Sequence, residues 1–137
     1  MNKREIDIYT AGLFDGEGSI TMILPSKTNV TKVPIIIVVN TDYNLLDFLR
    51  TNYGGHIYKR IKSKNLLHNQ VWQWGLYGNK SLEFLEKIFP YMKETNKIYR
   101  AKLLINGYKK YIKRGKGLTE KDHINNNNFY NEFFAVK

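Results

Sequence analysis

The chain has 137 residues, with 22 Lys and Arg against 12 Asp and Glu, a formal net charge of +10 and no cysteine. That length suits one domain able to bury roughly two-thirds of the surface of its unfolded chain, and the missing cysteine excludes zinc fingers, disulfide frameworks and thiol nucleophiles. The basic excess does not follow from folding and points to a polyanion, so nucleic acid is the expected partner; the bland alternative is a basic protein kept soluble by its charge. No membrane is expected, because the longest apolar run, Ile35 to Val39, falls far short of the roughly 20 residues that span a bilayer. The opening Met1-Asn-Lys-Arg-Glu leads into no signal-peptide core.

In chain order, residues 4–15 read as a helix, with Ile6, Tyr9 and Leu13 on one stripe and Ile8, Gly12 and Asp15 on another. Gly16 and Gly18 are expected to end it. Residues 19–24 and 33–39 read as strands around a polar turn. Thr41 or Asp42 is the expected N-cap of a helix carrying Leu45, Leu46 and Leu49, stopped by Gly54-Gly55. A second strand pair is expected at 56–64 and 70–77, with the turn at Lys64 to Asn69. A helix over 80–89 carries Leu82, Leu85 and Ile88 and breaks at Pro90. Another runs from about 96 to 113. Past Gly115 the chain is polar, with four asparagines at 125–128, but Phe129, Tyr130, Phe133 and Phe134 are too apolar to float free and should dock as a C-terminal helix.

The order α-β-β-α-β-β-α implies an α+β fold, one antiparallel four-stranded sheet with helices on one face. The whole chain, 1–137, reads as one domain with a core at about 4–113 and a C-terminal extension at 114–137. The other sheet face would be open to a partner. In the second strand pair Tyr58, Arg60, Lys62 and Lys64 alternate onto one face, and Gln70, Trp72 and Trp74 share one in the next strand. A twisted ribbon carrying such residues can enter the major groove, where Arg and Gln read base edges and Lys meets phosphates. An ordinary solvated face with an aromatic cluster is the competing reading of the strands, and the +10 charge favours nucleic acid over it.

The most informative segment is Thr10-Ala-Gly-Leu-Phe-Asp-Gly-Glu-Gly18. A helix C-terminus is partly negative and disfavours acids, yet Asp15 and Glu17 sit there; a divalent cation would reverse that sign. The nonapeptide resembles the LAGLIDADG motif, with Ala11, Gly12, Leu13, Asp15 and Gly18 identical. Thr10 stands for the leading Leu, Phe14 for the Ile, Gly16 for the second Ala and Glu17 for the second Asp. Further similarity lies at Val39-Asn-Thr-Asp42, Gly54-Gly-His-Ile-Tyr58, Trp74 through Leu85 and Phe89-Pro-Tyr91, so that it covers about residues 4–113.

Resemblance to the LAGLIDADG homing endonucleases implies a fold, an activity and roles for particular residues. The single motif implies a homodimer that cuts double-stranded DNA at a long, near-palindromic site, with Ile8, Ala11, Gly12 and Asp15 at the helix-helix interface. Glu17 would bind Mg2+, or another divalent cation such as Mn2+, with the Gly16 carbonyl as a second ligand. Asp15 would stabilise the helix end and the interface. Asn40 would order water, and Lys97 is the lysine chosen to assist catalysis, since the family's basic position falls here on Thr95. The first hairpin would present Thr21, Ile23 and Lys27 to DNA and turn Ile20, Met22 and Leu24 inward. Val33, Ile35 and Ile37 then fall on the DNA face, so the second strand makes few base contacts or the register is displaced by one.

The implied setting is intracellular, in a prokaryote, a phage-infected cell or an organelle, and the gene is expected to be intron-encoded. Two other readings stay open: an intron RNA maturase or non-cleaving DNA-binding regulator on the same fold, and an unrelated basic RNA-binding protein such as a ribosomal component.

Overall fold

The structure is a computed structural model that describes residues 1–60 and 70–136. Helix α1 (Lys3–Glu17) starts from a capping box, in which the Asn2 side chain accepts from the Glu5 N–H and the Glu5 carboxylate accepts from that of Asn2. Strands β1 (Gly18–Ile23) and β2 (Val33–Asn40) follow, then α2 (Tyr43–Tyr53), capped by Asp42. Strands β3 (His56–Lys59) and β4 (Trp72–Tyr77) come next, then α3 (Asn79–Ile88), a 3-10 turn over Phe89–Tyr91, α4 (Thr95–Tyr111) and α5 (Glu120–Phe134). The expected continuation of the third strand through Ile61, Lys62 and Lys64, and the turn to Asn69, lie outside the described residues.

The four strands form one antiparallel sheet in the order β1-β2-β4-β3. Ile20 pairs with Ile36, Ile36 with Leu76, and Val38 with Trp74, so these side chains share one face. All of them are buried, and α1, α2 and α3 pack there. Phe84 of α3 is the aromatic hub, edge-on to Phe14 at 5.5 Å, Tyr53 at 4.9 Å and Trp74 at 5.4 Å between centroids.

One departure from expectation concerns a helix end. α1 runs through Gly16 to Glu17 and stops because Gly18 turns extended, at φ −85° and ψ 161°, straight into β1. The acids therefore occupy the helix's last turn instead of a loop beyond it. Gly55 does take the left-handed backbone, at φ +88°, and a Cβ there would stand 2.4 Å from the Gly75 carbonyl oxygen, so two strands approach closely at that point.

The C-terminal aromatics dock as expected for Phe129, Tyr130 and Phe133, which join the core, whereas Phe134 is 40% exposed. Arg100 ties this end to the sheet. Its guanidinium donates to the Ile20 carbonyl at 2.7 Å and to that of Val136 at 2.7 and 3.1 Å, and lies 4.7 Å from the Phe133 ring centroid. Burial lowers its pKa.

Candidate metal and nucleic-acid sites

The end of α1 is locked to the start of α4. The Asp15 carboxylate accepts from the backbone N–H groups of Lys93 at 2.8 Å and Glu94 at 3.2 Å. Lys97 answers from the other side, its Nζ donating to the Phe14 carbonyl at 3.1 Å and the Asp15 carbonyl at 2.5 Å. A lysine on these carbonyls offsets the negative end of the helix dipole. Glu94, the N-cap of α4, accepts in turn from the Lys97 N–H. Asp15 was expected on the interface stripe, but its carboxylate is directed into its own chain.

This lock fixes the next two residues. Glu17 is exposed, and no hydrogen bond to it is found among the described residues. Lys97 occupies the carbonyls of Phe14 and Asp15 and leaves that of Gly16. One residue on begins a cleft of about 220 Å³ lined by Gly18, Ser19, Ile20, Glu94, Asn96, Lys97 and Arg100. An unengaged carboxylate beside a backbone carbonyl matches the hard-oxygen donors that Mg2+ takes along with waters and phosphate oxygens. Among the described residues no group of three or more His, Cys, Asp or Glu is placed to hold a metal ion.

Asn40 ends β2, pairs with Trp72, and shares the face of Val38. Its Oδ1 accepts from the Asp42 N–H at 2.8 Å, which shapes the strand-to-helix turn and leaves only its NH2 group for other partners.

Among the described residues, nothing packs on the outer face of α1 around Gly12 and Gly16; Ile8 beside them is 44% exposed, while Tyr9, 48% exposed, meets Phe48 of α2 edge-on at 5.4 Å. A Cβ added to either glycine would meet nothing within 4 Å. Ala11, expected beside them, is instead fully buried in the core against the sheet, since one residue is about 100° of helix rotation.

The open face of the sheet follows from the pairing. Ser19 and Thr21 lie opposite Ile37 and Ile35, Ile23 opposite Val33, Tyr77 opposite Ile35 and Tyr58 opposite Gln73. Thr21 and Ile23 are half-buried there, Lys27 stands in the exposed β1–β2 loop, and Tyr58 is 57% exposed. Arg60, exposed, extends β3 by one bond from its N–H to the Val71 carbonyl. The β2 register is as expected: Ile36 and Val38 face the core, while Val33 and Ile35 are on the open side yet buried, so this strand presents little to a groove.

Four placements need correction. Trp74 is fully buried, its indole N–H donating to the Gly54 carbonyl at 2.9 Å, so it cannot reach nucleic acid. Trp72 shares that inner face, edge-on to the Tyr43 ring and beneath the Lys59 ammonium. Gln70 precedes β4 and donates to the carbonyls of Arg60 and Val71, both at 2.8 Å, bracing the strand pair. Leu24, expected inward, is 46% exposed because β1 has already ended. The outward residues of β4 are Gln73, Gly75 and Tyr77, joined by His56 across from Gly75. Alternation held the signal: Trp72, Trp74 and Leu76 are the apolar set. Lys62 and Lys64 lie outside the described residues.

An antiparallel sheet backed by helices on one face, with an acid-tipped helix leading into its first strand, is the architecture of the LAGLIDADG homing endonucleases, and the chain has that fold. I-CvuI in complex with the I-CreI target in 2 mM Mg, in which the DNA is not cleaved, aligns over 98% of both chains at 18% identity and a TM-score of 0.64. I-CvuI with its Sro1.3 target in 2 mM Ca aligns at 22% identity and a TM-score of 0.62, over 75% of this chain and 65% of that one, just under two-thirds of its length. I-GzeII in complex with a DNA target aligns at 16% identity and a TM-score of 0.67; 96% of this chain is matched but only 44% of that one. No family model matches the chain. Among the described residues no helix is long and apolar enough to cross a membrane.

Proposed function

We propose that the chain is a metal-dependent, site-specific double-stranded DNA endonuclease that acts as a homodimer. The observation that carries this reading is the exposed Glu17 carboxylate at the tip of a helix whose outer face, Ile8, Gly12 and Gly16, has no partner among the described residues of its own chain. Two such helices packed through their glycines would bring two copies of Glu17 together, completing the donor set that one chain lacks. The DNA-bound neighbours of the same fold support a duplex as substrate.

Glu17 and the Gly16 carbonyl would hold Mg2+ or Mn2+, which when bound polarises the scissile phosphate and lowers the pKa of attacking water. Asp15 holds α4 against the end of α1 and takes no part in the chemistry. Lys97 is a positioning residue, because its ammonium is committed to the carbonyls that orient the Gly16–Glu17 turn. The NH2 group of Asn40 is free to order a water. Thr21, Ile23, Lys27, Tyr58 and Arg60 line the face that meets DNA, with Gln73 and Tyr77 added from β4. Sequence reading by such a surface is spread over direct contacts and the deformability of the duplex.

The test is a cleavage selection on a randomised duplex library in Mg2+, unmodified chain beside Glu17→Gln. Cleavage at a near-palindromic site by the unmodified chain alone is expected. Binding without cleavage by both proteins across several divalent metals would replace this reading with that of a non-cleaving regulator or an RNA maturase.

A further inference from the structure

Residues 95–119 carry eight Lys or Arg and no Asp or Glu, the largest number of like charges uninterrupted by the opposite sign in the chain. The last part of this segment, Lys113 to Gly117, is not a trailing end. Ile112 is buried in the core at 7% exposure, and immediately after it the backbone is gripped from two sides. Asn126, itself only 2% exposed, accepts from the Lys113 N–H at 3.0 Å and donates to the Lys113 carbonyl at 2.9 Å. The Thr31 hydroxyl donates to that same carbonyl at 3.4 Å. A buried amide satisfied entirely by one exposed lysine's backbone fixes where the flanking side chains stand.

That place is the foot of the first hairpin. Thr31 and Lys32 lead directly into β2. Lys32 is held there by two tyrosines, its N–H donating to the Tyr130 hydroxyl at 3.0 Å and its carbonyl accepting from Tyr108 at 2.6 Å. The exposed Lys113, Arg114 and Lys116 therefore border the end of the sheet from which Ile23 and Lys27 project. No ion pair engages them among the described residues. Cations anchored in this way beside an open sheet face suit contacts to a phosphate backbone.

We propose that Lys113, Arg114 and Lys116 form a second contact zone, a shelf that binds phosphates of duplex DNA beyond the base pairs met by the sheet. This rests on the endonuclease reading above. The shelf adds affinity and fixes orientation while leaving base preference unchanged, because phosphate contacts carry no sequence information.

The test measures affinity for the target duplex recovered by the cleavage selection, held uncleaved in Ca2+, across a salt series. Arg114→Gln/Lys116→Gln, which spares the anchored Lys113, is compared with Lys87→Gln/Lys102→Gln, which removes equal charge from exposed positions on α3 and α4. Thermal melting verifies that both variants fold. The slope of log affinity against log salt is expected to flatten by about two per subunit for the shelf pair alone, with the same preferred sequence. An unchanged slope, an equal flattening in both variants, or a loss seen only with single-stranded RNA would overturn the shelf. If the unmodified chain yields no target and binds no duplex, the endonuclease reading falls, and this inference with it.

Discussion

Asp15 and Lys97 clasp the same junction from opposite directions. The carboxylate of Asp15 reaches the backbone that opens α4, and the ammonium of Lys97, on α4, reaches back to the carbonyl of Asp15 itself. Each side chain satisfies backbone groups that a helix end leaves without partners, and the Gly16–Glu17 turn hangs from the result.

The clasp should show in stability. Asp15→Ala frees two partly exposed N–H groups and should cost about 1 kcal/mol, while Lys97→Met removes two charge-assisted bonds and should cost about 2 kcal/mol. Because both act on one junction, the double variant should lose less than the sum, with a coupling of at least about 0.5 kcal/mol. Urea denaturation of the four proteins measures this, and strict additivity would mean that the two contacts are independent.

Substitution at Gly12 tests the proposed assembly separately from folding. A Cβ at Gly12 meets no atom of the described residues within 4 Å, and Gly12→Leu gains up to about 1 kcal/mol of helix propensity. The variant should keep its far-ultraviolet spectrum and lose no thermal stability attributable to its own fold, yet sediment as a monomer, whereas the unmodified chain is expected to sediment as the proposed dimer. Two proteins with the same sedimentation behaviour would place the dimer contact elsewhere.

Gly18 is constrained in the opposite way. A Cβ there would fall 2.1 Å from the ring of Phe14, which is 1% exposed and packed on Phe84. Gly18→Ala must displace that ring or the strand, at about 1–3 kcal/mol. A melting temperature equal to that of the unmodified chain would show that the ring has room to move.

Alkaline pH probes the tyrosines under the first hairpin. Burial pushes the Tyr108 phenol from 10.0 up to about 12. The folded state thus keeps a proton that the unfolded chain has already lost, and the associated stability is complete below pH 10 and fades as pH rises from 10 to 12. Burial shifts Tyr130 in the same direction. Tyr108→Phe should be less stable at neutral pH, having lost its bond to Lys32, and should show a shallower decline across that window. Parallel pH profiles in chemical denaturation would remove Tyr108 from this account.

Much of this architecture is legible in the sequence because it rests on local rules. Stretches rich in Ile, Val and Thr place β1 and β2, Asp42 caps α2, and Asp15-Gly-Glu17 stands out at the end of α1. The faces of β4 were legible too, in the apolar alternation of Trp72, Trp74 and Leu76, but the pairing of tryptophan with nucleic acid drew them to the wrong side. The helical phase that sends Ala11 inward and Gly12 outward depends on which stripe meets the sheet, and a periodicity alone does not decide that. The Asp15 bonds to residues 93 and 94 join positions nearly eighty apart in the chain, and no local pattern announces them.

The run of four asparagines in α5 looks like the part of the chain most free to drift, and Asn126 alters that view. Neighbours of Asn126 on the exposed side can change identity with little consequence. The number of residues in the run cannot: gaining or losing a single codon rotates everything downstream by about 100°. Phe129, Tyr130 and Phe133 would then swing off the core together. For a repetitive stretch prone to slippage in copying, this helix tolerates misspelling and punishes miscounting.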